Sequence, residues 1–372
     1  MASDHDDRPT VLGLFDWSTP ASGGAHGSSS SDRPHASPAL RDPGFPLPYR
    51  ADLLPRSAPL SLRLVPPATG RAHRKLRDVI EHRSGVRMDL MVRGAPRALH
   101  ADAVLAFLEP QLTALSWAHR RGLPPYASRP AVGISCWWAQ ELASGTRPGA
   151  EVARVMEGID RLLVFSSNQR EIFADAGIDP ERIAPVLFGA DHTYFTPVRV
   201  EPRFDVLAVG VDRGRDWDTL VAAARELPQH RFDIVTGPGR IPEADLPDNV
   251  TVHPPTDFAT YRDHLGAARL VVVPTFDLAY PTGQSVLLEA MASGRCVVVT
   301  GTDAMREYID DGRWNLSVPP RDPVALAAAI SAALADDALR ERVGRGAREA
   351  VEERFTFERM WGSVGELIRQ AL

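Results

Sequence analysis

Short apolar runs alternate with longer stretches of helical period along most of this chain, which predicts parallel strands joined by helices. Runs at 10–17, 60–65, 103–108, 131–136, 162–166 and 183–188 read as strands, with helices over about 71–83, from 108 to about 121, and ending near Gly177. A second series follows at 205–209, 232–236, 250–253, 270–274 and 296–300. Together they predict an α/β protein of two doubly wound units. The segment 18–59 is rich in proline, glycine and serine, has no period, and reads as one long loop. The proline-bearing segment 195–202 reads as a hinge, giving an N-terminal domain over 1–197 and a C-terminal domain over 198–354. A helix over 324–335 is signalled by Asp322 as its cap and Pro323 at its first position, where no intrahelical donor is lost. The stretch 355–372 is amphipathic and reads as a closing helix able to cross back to the first domain.

Two stretches carry the candidate chemistry. In the first, Thr282 to Ser285 supply turn and cap residues, Val286, Leu287, Ala290 and Met291 form one buried stripe, and Gly294 ends the helix. That spacing puts Glu289 off the buried side, one turn above Ser285. A helix N-terminus favours an anion such as phosphate, and a carboxylate one turn further in can accept from vicinal hydroxyls of a ribose. An ordinary capped helix with an exposed glutamate has the same pattern.

In the second stretch, the strand at 205–209 runs into Gly210, Arg213, Gly214, Arg215, Asp216, Trp217 and Asp218 before another helix. Ligands of open parallel sheets sit beyond the carboxyl ends of the strands, so Arg213, Arg215, Gly283 and Ser285 are expected to face one diphosphate. The chain has a single lysine, Lys75, among 42 basic residues, as a GC-rich genome would write it. A phosphate site here must use the planar fork of arginine.

These stretches resemble the retaining GT-B glycosyltransferases of family 4, the glycosyl transferases group 1. Gly210 and Arg215 match that family's glycine and following basic residue, with arginine where lysine is usual. Glu289 matches the second of two glutamates eight positions apart. Val186 to Asp191 with Phe195 and Pro197, the pair Gly23 and Gly24, and Glu307 with Gly312 are further matches, and the likeness is specific from about 160 to 335. The resemblance implies two Rossmann-like domains facing a cleft and a nucleotide-sugar donor linked through UDP, GDP or dTDP. It further implies retaining transfer with neither metal nor cofactor, and a small-molecule or lipid-linked acceptor. Arg215 and Glu289 are then the catalytic candidates. Gly23, Gly24, Gly210, Arg213, Thr282, Gly283, Gln284, Ser285 and Val286 are the donor-binding ones.

One departure stands out. Pro281 occupies the position of the family's first glutamate, which usually contacts the transferred sugar. The sugar is therefore expected to be held by Gln284, Thr282 and backbone amides, and to be deoxygenated or modified. Asp216 and Asp218 spell the D-x-D of metal-dependent transferases of another fold; at a helix start they read as capping residues.

The first domain is expected to hold the acceptor, with Glu109, Ser135, Cys136, Trp137 and Trp138 just beyond its strand ends. Adjacent tryptophans on an extended chain point to opposite sides, leaving one to pack or to stack on an acceptor. Nine basic residues (Arg63, Arg71, Arg74, Lys75, Arg77, Arg83, Arg87, Arg93, Arg97) face three acidic ones (Asp78, Glu81, Asp89) over 63–97. This is either a solvated face or a contact for a phosphorylated acceptor or the inner membrane surface. The net charge of -6 gives no global field for nucleic acid. Cys136 and Cys296 stand alone, and no apolar run suits a signal peptide or a membrane span, so a reduced, cytoplasmic protein is expected. An epimerase or hydrolase using the same donor site, or a silent partner subunit, fits the same sequence.

Overall fold

The computed structural model describes residues 8–15, 47–66, 70, 73, 75, 77–79, 81, 88–242 and 246–372. The described residues fall into two compact units, one within 8–15, 51–186 and 361–372, the other within 47–50 and 187–360.

The first unit is built on a parallel sheet of β1 (Thr10–Leu14), β2 (Ser61–Leu64), β3 (Ala103–Phe107), β4 (Ala131–Ile134), β5 (Arg161–Val164) and β6 (Ile183–Pro185), in the order β2-β1-β3-β4-β5-β6. Every residue of β3 and β4 is buried, as expected for strands covered on both faces, which is why they read as unbroken apolar runs. Gly133 in β4 lies under Leu112 of the Glu109–Arg120 helix, where any Cβ would collide with that side chain. The closing helix spans Phe357–Ala371, and from Trp361 onward it belongs to this unit. Trp361 is fully buried, 6.2 Å from the ring of Phe15.

Three expectations need correction here. Residues 48–57, expected within a long loop, form a 3-10 turn (Pro48–Leu53) and a short helix (Leu54–Ser57). Leu54 is buried there beside Gly365 of the closing helix, a long-range contact that no local pattern announces. The helix Asp89–Ala98 was not foreseen, because Gly94 and Pro96 interrupt its period. Gly94 serves close packing instead: a Cβ would lie 3.0 Å from Val65 and 3.1 Å from the hydroxyl of Tyr126. That hydroxyl donates to the carbonyl of Met91 at 2.5 Å. The described residues of 71–83 (His73, Lys75, Arg77, Asp78, Val79 and Glu81) are helical.

The third correction concerns the hinge. The segment from Leu187 belongs to the second unit, so the units part at 186/187 rather than 197/198. Ala190 bridges to Thr356, and a Cβ on Gly189 would lie 2.5 Å from the Thr356 backbone. Phe195 is buried against Phe258 and Tyr261, with centroids 5.2 Å and 5.9 Å away. Pro197 rests against Gly294.

The second sheet comprises β7 (Phe204–Val209), β8 (Phe232–Val235), β9 (Val250–His253), β10 (Ala268–Val273), β11 (Val297–Thr300) and β12 (Leu316–Val318), all parallel, ordered β12-β11-β10-β7-β8-β9. Chain order runs outward from β7 through β8 and β9 on one side, and from β10 through β11 and β12 on the other. The switch point, where such sheets open a crevice at their carboxyl edge, therefore lies between β7 and β10. The helix Pro323–Ala335 begins as its sequence signals, with Asp322 accepting from the N–H of Ala325 at 2.8 Å.

Candidate functional site

The loops leaving β7 and β10 meet at this switch point. Arg215 and Thr275 form an isolated antiparallel bridge, the N–H of Asp216 donates to the carbonyl of Pro274 at 3.1 Å, and that of Phe276 to Gly214 at 2.9 Å. Asp212 fastens the turn: one carboxylate oxygen accepts from the N–H of Gly214 (2.8 Å) and from the hydroxyl of Thr282 (2.9 Å). Gly214 is needed there because a Cβ would strike Thr282.

Arg215 occupies the middle of this arrangement. Its side chain is 2% exposed, and Nη2 lies 3.4 Å from Oδ2 of Asp212. Its Nε and Nη1 have no hydrogen-bond partner among the described residues. Two glycines make room for the guanidinium: a Cβ on Gly210 would land on Nε, and one on Gly283 on Nη1. Gly283 also has φ +84°, a left-handed conformation that glycine adopts without strain. It immediately precedes the helix Gln284–Ala292, so a buried cation with unused donors and the positive end of a helix dipole lie side by side. Such a cation calls for an anionic partner, because a buried unpaired donor is costly. Burial opposes ionisation of Asp212, yet the Arg215 guanidinium and the donors of Gly214 and Thr282 hold its carboxyl below the usual range.

Glu289 differs from expectation. It is buried, as is every residue of its helix except Ser285, because the helix packs against β10, β11 and the helix Asp337–Arg354. One carboxylate oxygen accepts from the hydroxyl of Tyr261 at 2.7 Å. Burial pushes the Glu289 carboxyl up to about 8, against the Tyr261 hydroxyl and the Arg215 guanidinium, which both favour its ionised form. Gln284 is buried too; its Nε2 donates to the Tyr280 hydroxyl at 3.1 Å, while Oε1 has no partner among the described residues.

Among the other expected donor residues, Thr282 and Val286 are buried and Ser285 is half-buried, whereas Arg213 is exposed and does not share the buried setting of Arg215. Gly23 and Gly24 lie outside the described residues. Asp216 caps the helix Trp217–Arg225, accepting from the N–H and hydroxyl of Thr219 at 3.1 Å and 2.7 Å, and Asp218 is exposed.

In the first unit, Glu109 and Ser135 are bonded to one another. A single oxygen of Glu109 accepts from the hydroxyl of Ser135 (2.9 Å) and from the N–H groups of Cys136 and Trp137 (2.6 Å each). Trp137 and Trp138 are not extended: Trp137 has φ -109° and ψ -19° and caps the short helix Trp138–Ala143. Trp138 is core and Trp137 half-buried, a division set by the helix start and not by strand alternation. Of the basic stretch, Arg71, Arg74, Arg83 and Arg87 lie outside the described residues. Arg77 pairs with Asp78, and Arg93 with Asp89.

Asp212, Thr275 and Tyr261 were not anticipated. Asp212 lies in the same glycine loop as Arg215 and was within reach of sequence reasoning; Tyr261, in the helix Phe258–Gly266, carries no local signal of its bond to Glu289. Among the described residues no helix is long and apolar enough to cross a membrane, and no group of three metal-ligating side chains occurs.

Residues 203–336 match the family model Glycosyl transferases group 1. The chain is 29% identical over 224 residues to a D-inositol 3-phosphate glycosyltransferase of Xylanimonas cellulosilytica, covering 52% of this chain and 53% of that protein. It is 27% identical over 267 residues to an alpha-maltose-1-phosphate synthase of Mycolicibacterium smegmatis, covering 62% and 67%. The chain thus spans about half the length of the first of these curated relatives. In fold it is similar to Anabaena HepE, solved in complex with UDP and glucose, with a TM-score of 0.68 and 15% identity over 98% of this chain and 100% of that one. With two doubly wound parallel sheets, the chain has the GT-B fold of that solved structure, and its residues 203–336 are similar to the glycosyl transferases of group 1.

Proposed function

We propose that this protein transfers a sugar from a nucleoside diphosphate to a small-molecule or lipid-linked acceptor, with retention of anomeric configuration and without a metal. The observation that carries this reading is the Arg215 guanidinium, buried at the switch point with Nε and Nη1 unpaired and glycines at 210 and 283 clearing space around it. A diphosphate supplies the acceptors those donors lack. The negative charge that grows on it as the sugar departs is met by Arg215 and by the first amides of the Gln284–Ala292 helix, both in place before reaction. Glu289, one turn along, accepts from the ribose hydroxyls once ionised. The names of the relatives, a D-inositol 3-phosphate glycosyltransferase and an alpha-maltose-1-phosphate synthase, support a phosphorylated polyol or sugar as the acceptor class.

Calorimetric titration with UDP, GDP and dTDP tests the donor site. One-to-one binding of at least one of them, lost in Arg215→Ala, is the expected result; no binding of any overturns the reading. Incubation with the matching sugar nucleotide and candidate acceptors, followed by proton NMR of the product, then reads the stereochemistry. Release of free sugar as the sole product overturns transfer in favour of hydrolysis, and loss of turnover with a chelator overturns metal independence.

A further inference from the structure

Asp212 is placed awkwardly for a residue whose only neighbour of interest is a phosphate. A carboxylate beside the guanidinium weakens the attraction that guanidinium exerts on a diphosphate. Fastening the loop uses one oxygen alone, the one that accepts from Gly214 and Thr282. The other, Oδ2, stands 3.4 Å from Nη2 of Arg215, too far for a strong charge-assisted bond, and the Asp212 side chain is 25% exposed while that of Arg215 is 2% exposed. Asp212 therefore presents an ionised oxygen with acceptor capacity to spare at the accessible edge of the phosphate site.

A second acceptor stands close by in sequence. Oε1 of Gln284, two residues beyond Thr282, is buried without a partner among the described residues. Pro281, adjacent to Thr282, has no side-chain donor with which to satisfy either. A site offering an unpaired amide oxygen and a loosely ion-paired carboxylate oxygen next to a phosphate-binding cation selects a ligand that brings hydrogen-bond donors attached to its phosphate. A sugar carrying its full set of hydroxyls has that chemistry, and a deoxygenated one has less of it.

We propose that Asp212 is a specificity-determining residue that accepts hydrogen bonds from hydroxyls of the transferred sugar, and that the donor is a nucleotide-linked hexose with those hydroxyls free. This rests on the diphosphate reading of Arg215 above. It differs from the deoxygenated or modified sugar expected from Pro281, because the Asp212 carboxylate bonded to Thr282 puts an acceptor beside that proline.

The test compares free and sugar-bearing nucleotides on the same variants. Wild type, Asp212→Asn and Asp212→Glu are titrated with UDP, GDP and dTDP, and with UDP-glucose, GDP-mannose, dTDP-glucose and dTDP-rhamnose. Asparagine keeps one oxygen as the acceptor for Gly214 and Thr282 and replaces the other, with its charge, by an amide group that donates. The proposal expects Asp212→Asn to lose at least about fivefold in affinity for the hexose conjugate while the free nucleotide binds as well or better, with Asp212→Glu recovering part of the loss. Equal changes for free and conjugated nucleotide make Asp212 a counter-ion of Arg215 and overturn the proposal, as does tighter binding of the 6-deoxyhexose conjugate by the wild type. Because both ligands are measured on one preparation, partial loss of folded protein cancels from the ratio. A wild type that binds no nucleotide at all instead overturns the parent reading, and this one with it.

Discussion

The hydroxyl of Tyr261 donates to Glu289 across 2.7 Å inside a helix-packed interior, and behind Tyr261 lies Phe195, 5.9 Å from its ring. The aromatic residue of the post-strand motif thus acts at one remove, by backing the tyrosine that orients the carboxylate. Burial raises the Glu289 carboxyl to about 8, above its ordinary value of 4.5. A carboxyl raised in the folded state binds its proton more tightly there than in the unfolded chain, so its contribution to stability is full below about 4.5 and is lost as pH rises through about 8. Glu289→Gln, which is neutral at every pH, should melt close to wild type at pH 4 and about 3–6 °C above it at pH 9. Thermal unfolding of the two proteins across this range checks it; a difference independent of pH would show that Glu289 is not proton-bound in the native state.

The glycines around Arg215 allow the seat of the guanidinium to be tested without removing the arginine itself. A Cβ at Gly210 would lie 1.9 Å from Nε and one at Gly283 2.2 Å from Nη1, so either alanine must push the guanidinium out of its seat. Gly210→Ala should weaken nucleoside diphosphate binding at least about tenfold at little cost in stability, since the displaced group is the end of a flexible side chain. Gly283→Ala should do the same and also lose about 1–2 kcal/mol of stability through its φ of +84°. Titration calorimetry paired with urea unfolding separates the two contributions.

Much of this architecture was legible because parallel strands covered on both faces write themselves as apolar runs, and two series of them announce two sheets. Arg215, Gly283 and Gln284 were legible for a related reason: loops at the carboxyl ends of such strands need glycine and polar residues that nothing else in the core permits. What escaped depended on contacts distant in sequence. Glu289 looked solvent-facing on a helical projection, but Tyr261 of the helix Phe258–Gly266 lies against it and donates to its carboxylate. The helix Asp89–Ala98 was hidden by Gly94 and Pro96, and the turn at Leu54 by a proline-rich surrounding whose partner, Gly365, comes near the end of the chain.

Asp191 makes the second unit's entry segment sensitive to acid. It is buried, one oxygen accepts from the N–H groups of Thr193 and Tyr194 at 3.0 Å and from the Thr193 hydroxyl at 2.6 Å, and the other pairs with Arg50. Burial opposes ionisation, but Thr193, Arg50 and Tyr194 outweigh it and hold the carboxyl below its usual range. A depressed carboxyl stabilises the fold above its unfolded value, and the contribution disappears as pH falls through the native one. Asp191→Asn should therefore cost about 1–3 kcal/mol at pH 7 and progressively less below pH 4, measured by urea unfolding. An equal cost at both ends of the range would assign the effect to hydrogen-bond geometry alone.

Glu109 is expected from its sequence position to touch an acceptor, and the bonds to one of its oxygens also give it a structural task. Three donors converge on one of its oxygens from the turn after β4, so it closes that turn onto the start of the helix Glu109–Arg120. The preceding residue, Leu108, has φ +76°, a conformation unfavourable for leucine that the surrounding contacts must sustain. Removing the carboxylate strands two backbone N–H groups and relaxes the restraint on Leu108 together. Glu109→Ala should cost about 2–4 kcal/mol, and Glu109→Gln, which keeps an acceptor of nearly the same shape, about 1 kcal/mol. Nucleoside diphosphate affinity, which the proposed function assigns to Arg215 in the second unit, should stay within about twofold of wild type in Glu109→Gln. If that variant instead keeps full stability and raises KM for an acceptor alone, the carboxylate is a ligand-binding group and not the brace described.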